Sequence, residues 1–292
     1  MTDVPRYCAR EFSDAELALI RTLIAEHDPP LNRAALSRVV CERLDWRKPD
    51  GGLKDMSARV ALLRMHREGV IALPPARKRP GPRKPIAPSP ETDPPSLFEP
   101  PTSLETVRPL CIEPVTSRAE GRLWNAFVDR YHYLGHHPLP GAQMRYFVRA
   151  TNAEPLAVLG FAAAAWKTAP RDAFIGWSPA QRQRNLALVV NNARFLILPW
   201  VRIPNLASHL LAQLQRRLPH HWERRYALRP VLLETFCETP RFLGTCYQSA
   251  NWLCVGHTQG RGKLDVYRQS ALPVKSVWLK PLQKNWRTIL CR

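Results

Sequence analysis

The sequence predicts a chain of mixed α+β and α/β class in two folded parts. A small helical unit covers residues 1–75, a Pro-rich linker covers 76–103, and a mixed sheet flanked by helices covers 104–292. Three observations predict this. Apolar residues recur at helical spacing behind good caps in the first 75 residues. Residues 76–101 are proline-dense with almost no apolar content, the composition of an extended spacer. Beyond residue 104, short apolar runs alternate with helical patterns, as in a sheet covered by helices.

Ser13, with Glu16 three residues later, makes a capping box for a first helix carrying Leu17, Ile20, Leu23 and Ile24. A second helix starts near Asn32 and carries Leu36, Val39, Val40 and Leu44. Residues 46–52 turn on their proline and glycines. A third helix begins near Leu53, with Met56, Val60, Leu63 and Met65 at helical spacing, and Gly69 ends it. Residues 70–74 then read as a short strand. Three helices and a final strand suggest a winged helix-turn-helix. Its third helix would present Lys54, Ser57, Arg59, Arg64 and Arg67 to a major groove, with Lys54, Arg59 and Arg64 as the leading contacts. A structural helical bundle with a solvated basic face shows the same pattern. In the linker, the basic first half, Arg77 to Lys84, suits phosphate tracking.

In the second part, a helix is expected over residues 120–133, with Leu123, Trp124, Phe127 and Val128 on one face. Strands follow over 144–150 and 155–165, the latter apolar enough to be buried on both faces. Ser178 caps a helix with Pro179 at its first position, running to Leu188. A strand over 193–198, a loop over 199–204, a helix over 206–218 and a strand over 231–236 come next. Residues 234–263 pack a carboxylate, three cysteines, Tyr247, Trp252 and four glycines into strand, turn, short helix and strand, ending in a basic tip with Arg261 and Lys263. Polar and aromatic residues this dense in tight-turn territory line sites, because glycine lets backbone approach a ligand. The tail adds a strand and a basic turn.

The 292 residues carry a formal charge of +19, with a pI near 10.3. Such an excess creates a field that attracts polyanions, and nucleic acid is the commonest. No stretch approaches the roughly twenty apolar residues of a membrane span, and the first residues lack the apolar core of a signal peptide; the cytoplasm is the expected location. The seven cysteines are scattered with no CxxC pair, which disfavours a disulfide framework and a zinc ribbon. No metal site is predicted.

Tyr131, His132, Tyr133, His136 and His137 form an aromatic, titratable cluster at a helix end, suited to stacking on an unpaired base or to packing. Asp172 follows an apolar strand and Glu234 sits within one. A carboxylate there needs a partner such as Arg194, or acts as an acid with a raised pKa. Asn192 and Arg194 suit a base edge or a phosphate, although capping and turn roles account for the asparagine nearly as well. Asp172, Glu234 and Glu238 are the acids that a Mg2+-dependent nuclease would draw on. From Arg241 onward, nine Lys or Arg face one acid, Asp265, with Tyr267, Trp278 and Trp286 interleaved, as on a backbone-tracking surface.

The order of strand 193–198, loop, helix, strand and short helix with Tyr247 and Trp252 resembles the second half of the GCN5-related N-acetyltransferase fold. That resemblance implies an acetyltransferase-like core and an acyl-CoA-type donor. The loop from Trp200 to Asn205 departs from the family's glycine-rich pyrophosphate loop by having no glycine. Nearly the whole chain resembles the Druantia DruA family, through YHYLGHHPLPG, RDAFIGWSPAQR, NNARFLILPWVRIPNLASH, LLETF and GTCYQSANWLCVGHTQGRG. This resemblance implies anti-phage defence or transposition, with other proteins of such a system as partners.

The reading is therefore a DNA-binding protein that grips duplex through its helical unit and distorted or single-stranded DNA through its α/β domain, with no membrane partner. A base-modifying enzyme on an acetyltransferase-like fold and a metal-dependent nuclease or transposase subunit stay open. Catalytic candidates are Asp172, Glu234, Tyr247 and His136. Nucleic-acid contacts, beyond those of the third helix, are Tyr133, His137, Arg171, Asn192, Arg194, Arg202, Trp252, Arg261 and Lys263. No cofactor is indicated by the residues alone; an acyl-CoA-type donor suits the base-modifying reading and Mg2+ the nuclease reading.

Overall fold

The computed structural model describes residues 5–8, 10–26, 31–49, 51–75, 86, 89–94, 101–151, 153–260 and 272–292. The chain folds as two compact units, Met1–Lys84 and Pro85–Arg292.

The first unit has two short antiparallel strands, β1 (Arg6–Tyr7) and β2 (Arg10–Glu11), then α1 (Asp14–Ala25), α2 (Arg33–Arg43) and α3 (Asp55–Arg67). The Ser13–Glu16 capping box forms, and the Asn32 side chain accepts from the amides of Ala34 and Ala35 to start α2. The core gathers Phe12, Leu17, Ile20, Leu36, Val40, Trp46 and Met65. Arg10 lies over the rings of Phe12 and Trp46, 5.4 Å from each, and pairs with Glu16.

Two expectations for this unit need correction. The strand over residues 70–74 does not form, because side chains take its backbone groups: Arg21 donates to the Val70 carbonyl, the Leu73 amide donates to His66 Nδ1, and Arg33 donates to the Pro74 carbonyl. The inner face of α3 is Ala58, Ala61, Leu62 and Met65, while Met56 and Val60 are 60% and 42% exposed. Both stripes have helical spacing.

The second unit is built on a seven-stranded mixed sheet in the order β3-β4-β5-β6-β7-β9-β8. The elements, in chain order, are β3 (Cys111–Pro114), α4 (Arg118–Tyr131), β4 (Gln143–Arg149), β5 (Pro155–Ala163), α5 (Ala169–Ile175), α6 (Pro179–Asn185), β6 (Val189–Ile197), α7 (Leu206–Tyr226), β7 (Leu232–Glu238), α8 (Thr245–Ser249), β8 (Leu253–His257), β9 (Lys275–Pro281) and α9 (Trp286–Leu290). Neighbouring strands are antiparallel except β6 and β7. A parallel pair needs a crossover, and α7 supplies it.

The interior of β5 is buried throughout, as its apolar run predicts. At Gly160 an added Cβ would meet Trp124 Cζ2 at 2.9 Å, and the Trp124 indole donates to the Leu159 carbonyl, so the missing side chain lets α4 lie directly on β5. The main core joins α4 and α7 to the sheet; a smaller one gathers Ile175, Trp177, Val189, Leu232, Leu279 and Leu290 around α5, α6 and α9.

Helix α7 runs to Tyr226, two turns beyond its expected end. Pro219 lies inside it, yet Leu218 and Trp222 continue the buried stripe on both sides, and packing carries the helix through the lost hydrogen bond. Part of the expected linker is also docked. Residues 90–92 form a 3-10 turn in which Thr92 is buried, its hydroxyl accepting from Arg130 and its carbonyl from Tyr131. The basic stretch from Arg77 to Lys84 lies outside the described residues.

Candidate functional site

β6 and β7 are in register over only three pairs, Val189–Leu232, Val190–Leu233 and Asn191–Glu234. Beyond that rung each strand keeps its outer neighbour, β6 with β5 and β7 with β9, and the two part. A cavity of about 460 Å³ opens in the wedge, floored by Asn192, Thr235 and Tyr247 and rimmed by Tyr133, Arg241 and Phe242. Separating parallel strands at their carboxyl ends is a general way to expose backbone and side chains to a ligand.

The floor is a closed hydrogen-bond set. Tyr247 donates to Asn192 Oδ1 at 2.8 Å, Thr235 donates to the Asn192 carbonyl at 2.9 Å, and the Asn192 amide donates to the carbonyls of Gly160 and Arg194. Those last two bonds bridge the β5–β6 register shift at Ala193. Complete burial holds the Tyr247 hydroxyl well above its usual pKa, so it stays protonated.

The rim is aromatic and cationic. His132 stacks on Tyr133 with ring centroids 4.9 Å apart, Tyr133 meets Phe242 at 5.0 Å, and Arg241 lies over Tyr133 at 4.7 Å. Phe242 is 43% exposed and Leu243 78%. Burial, then the charges of Arg194 and Arg241, push His132 down to about 4, so its ring is neutral at pH 7. Among the described residues neither Arg194 nor Arg241 has a carboxylate within ion-pair distance, and Arg194 Nε is buried without a partner. Two guanidiniums with no carboxylate to neutralise them, beside stacking rings, suit an anionic ligand with a flat apolar part.

Of the residues singled out from sequence, Tyr131, His132, Tyr133, Asn192 and Tyr247 line this cavity, and Arg194 stands close enough to shift His132. The others lie elsewhere. Glu234 is fully buried and paired with Arg171 at 2.8 Å, and its other oxygen accepts the Ala165 amide; Arg194 is not its partner. Arg171 also pairs with Asp172 at 2.8 Å, and Asp172 further takes Arg182 and the Trp177 indole. Arg171 is therefore a core cation rather than a nucleic-acid contact. Trp252 is buried beside Tyr247 and cannot meet a ligand from solvent.

His136 edges against Trp124 away from the cavity lining, and its amide donates to Asp129. His137 and Arg202 are exposed on loops. On α3, Arg64 is exposed, Lys54 is half-buried, and Arg59 pairs with Asp55 at 3.4 Å. Arg261 and Lys263 lie outside the described residues. Phe195, Arg241 and Phe242 complete the site without having been assigned to it. The signal for two of them was Arg-Phe-Leu between Pro240 and Gly244, large apolar residues inside a turn.

Among the described residues no three His, Cys, Asp or Glu side chains converge as metal ligands. Asp172 and Glu234, the acids a Mg2+ site would need, are spent on Arg171. The loop ahead of α7 does not fit the pyrophosphate of an acyl-CoA. It has no glycine, Pro199 and Pro204 have no N–H, and the amides of Val201 and Leu206 bond the carbonyls of Leu198 and Ile203.

Fold and cavity together define a mixed-sheet α+β protein whose parallel strand pair, β6 with β7, opens on a cationic, aromatic pocket. The chain belongs to the family of the Druantia protein DruA, which it matches over residues 67–278. No curated protein matches it in sequence. Among solved structures, spermidine N-acetyltransferase from Vibrio cholerae in complex with CoA and spermine aligns at 9% identity and a TM-score of 0.38, covering 59% of this chain and 95% of that one. RimL, a ribosomal alpha-N-protein acetyltransferase, aligns at 11% identity and a TM-score of 0.29, covering 49% and 71%. No helix among the described residues is long and apolar enough to cross a membrane.

Proposed function

We propose that this chain is a DNA-binding component of an anti-phage defence system of the Druantia type, in which the cavity between β6 and β7 takes up an unpaired base. One observation carries the reading. The stacked rim of His132, Tyr133 and Phe242 stands beside Arg194 and Arg241, two guanidiniums that no carboxylate among the described residues meets at ion-pair distance. A base stacks on such rings whatever its sequence, and its phosphate meets the cations. The overall charge of +19 supports a polyanionic partner. The helical unit adds Arg64 and Arg67, exposed on α3, for duplex contact. The element order β6, loop, α7, β7, α8, β8 supports an acetyltransferase-like core used here as a binding scaffold. Family membership supports partners within the same defence system.

The test is fluorescence anisotropy with a single-stranded oligonucleotide and its abasic counterpart. Phe242→Ala and Tyr133→Ala should each weaken binding of the intact strand by about 1–3 kcal/mol and leave the abasic strand unaffected. Equal affinity of the wild-type protein for both strands would reject base uptake.

A further inference from the structure

We infer that the solvent face of α7 is a second polyphosphate-binding surface, fitted to the backbone of duplex DNA and independent of the cavity. The inference extends the DNA-binding reading to residues that play no part in base uptake.

Helix α7 buries Leu210, Leu211, Leu214, Leu218 and Trp222 against the sheet. Its exposed side carries Arg216, Arg217, His220, Arg224 and Arg225. With about 3.6 residues per turn, Arg216, Arg217, His220 and Arg224 share one arc of about 100°. Glu223 is the helix's sole acid, and Arg229 holds it at 2.6 Å. No carboxylate among the described residues pairs with the four α7 arginines.

The field of the group reaches its neighbours. Burial, then His220, Arg217 and Arg224, pushes His221 down, and burial followed by Arg225 lowers Arg145 on the adjacent strand β4. An ordinary solvated helix face mixes both signs, so that pairs relieve such repulsion. Here no such pairs form among the described residues, and an anion carrying several charges at regular spacing would complement the face. Along that arc, Arg216 to Arg224 spans about 12 Å at about 1.5 Å per residue. Each strand of a duplex offers one phosphate per about 3.4 Å of axis, so this face spans about four phosphates. The row lies along one continuous helix, with Pro219 turned into the core between Arg217 and His220, and such a regular array suits the even phosphates of a duplex better than a folded acidic loop.

The experiment measures anisotropy of a short labelled duplex with the full chain across a salt series, comparing wild type with the triple variant R216A/R217A/R224A. All three positions are exposed, so circular dichroism should be unchanged. The slope of log affinity against log salt should fall by about 2.7, three contacts at about 0.9 each, while discrimination between intact and abasic single strands is retained. An unchanged slope overturns the inference and leaves base uptake standing. A lost slope in a protein that never distinguishes abasic strands leaves this surface standing and rejects base uptake. Displacement of the duplex by poly-glutamate of matched charge overturns the assignment to a nucleic-acid backbone.

Discussion

Arg171 and Glu234, 63 positions apart in sequence, meet at 2.8 Å with both side chains fully buried. Glu234 is also the last β7 residue in register with β6, opposite Asn191. The ion pair thus ties α5 to the rung at which the two parallel strands separate, and the wedge below it becomes the cavity. Burial pushes the Glu234 carboxyl up while the Arg171 guanidinium and the Ala165 amide pull it back. Glu234→Ala leaves the buried Arg171 guanidinium with Asp172 as its remaining carboxylate and the Ala165 amide without its acceptor, and should cost about 1–3 kcal/mol. Replacing both partners by apolar residues, Arg171→Met with Glu234→Leu, should recover part of that loss, because no buried guanidinium remains and Asp172 keeps Arg182 and the Trp177 indole. Urea unfolding measures both. A loss under about 1 kcal/mol for Glu234→Ala would show the pair to be dispensable.

Much of this was legible in the chain because periodicity is a local signal. The caps at Ser13 and Ser178, the apolar β5 and the break at residues 199–204 all follow from neighbours in sequence. Glu234 read correctly as a carboxylate that needs a partner, but a partner 63 positions away leaves no local trace, and Arg194 was the wrong choice. In α3, Met56, Val60 and Leu63 have the same spacing as Ala58, Ala61 and Met65. Packing chooses the second set because small alanines let α2 and α3 approach, which hydrophobicity alone conceals. Tyr247, Asn192 and Tyr133 stood out as polar or aromatic residues in tight-turn or strand-end positions. Arg241 and Phe242 join them only once β7 and α8 fold back on the end of α4.

The floor of the cavity should depend on one hydroxyl. Tyr247→Phe removes the donor to Asn192 Oδ1 and leaves that buried oxygen without its 2.8 Å partner. The expected cost is about 1–3 kcal/mol. Asn192→Ala in the same background should then add less than it does alone, since the two residues share one bond. Strict additivity in the double-mutant cycle, measured by thermal unfolding, would separate them.

His132 gives the fold a defined acid response. Its folded-state value of about 4 lies below its ordinary 6.5, with burial as the first cause. As pH falls, the unfolded chain therefore takes up the proton first. The stability held above pH 6.5 is lost between 6.5 and about 4, by no more than about 3 kcal/mol and less after allowance for solvent contact. The ring's Nδ1 accepts the Leu134 amide at 3.2 Å, and His132→Asn keeps an acceptor there without titrating. The difference between the wild-type and variant stability curves should rise across this window, and a flat difference would show that His132 does not set the acid response.

On α3, exposure separates binding from folding. Arg64 and Arg67 are exposed, whereas Ala61 and Met65 are buried. Arg64→Ala and Arg67→Ala should leave the melting temperature unchanged and each lower the salt slope of duplex binding by about 0.9. Met65→Ala should do the reverse, costing about 2–5 kcal/mol with the slope intact. A helix that only packs would show no change in slope for either arginine.

Gly244 offers the sharpest steric test of the cavity's shape. It opens α8 with φ of 74°, and an added Cβ would lie 2.5 Å from Trp278 Cζ2 and 2.6 Å from Cε2. The indole has little room to give way: its Nε1 donates to Ser276 Oγ at 2.9 Å and its ring stacks with Tyr247 at 6.5 Å. Gly244→Ala therefore meets two costs, the left-handed backbone at about 1 kcal/mol and the overlap at about 1–3 kcal/mol. Trimming the neighbour separates them. In a Trp278→Leu background the overlap disappears while the backbone cost stays, so Gly244→Ala should there cost only about 1 kcal/mol. If the alanine is as costly in that background as in the wild type, the indole is not what demands glycine, and the contact between α8 and β9 does not set the wall of the cavity.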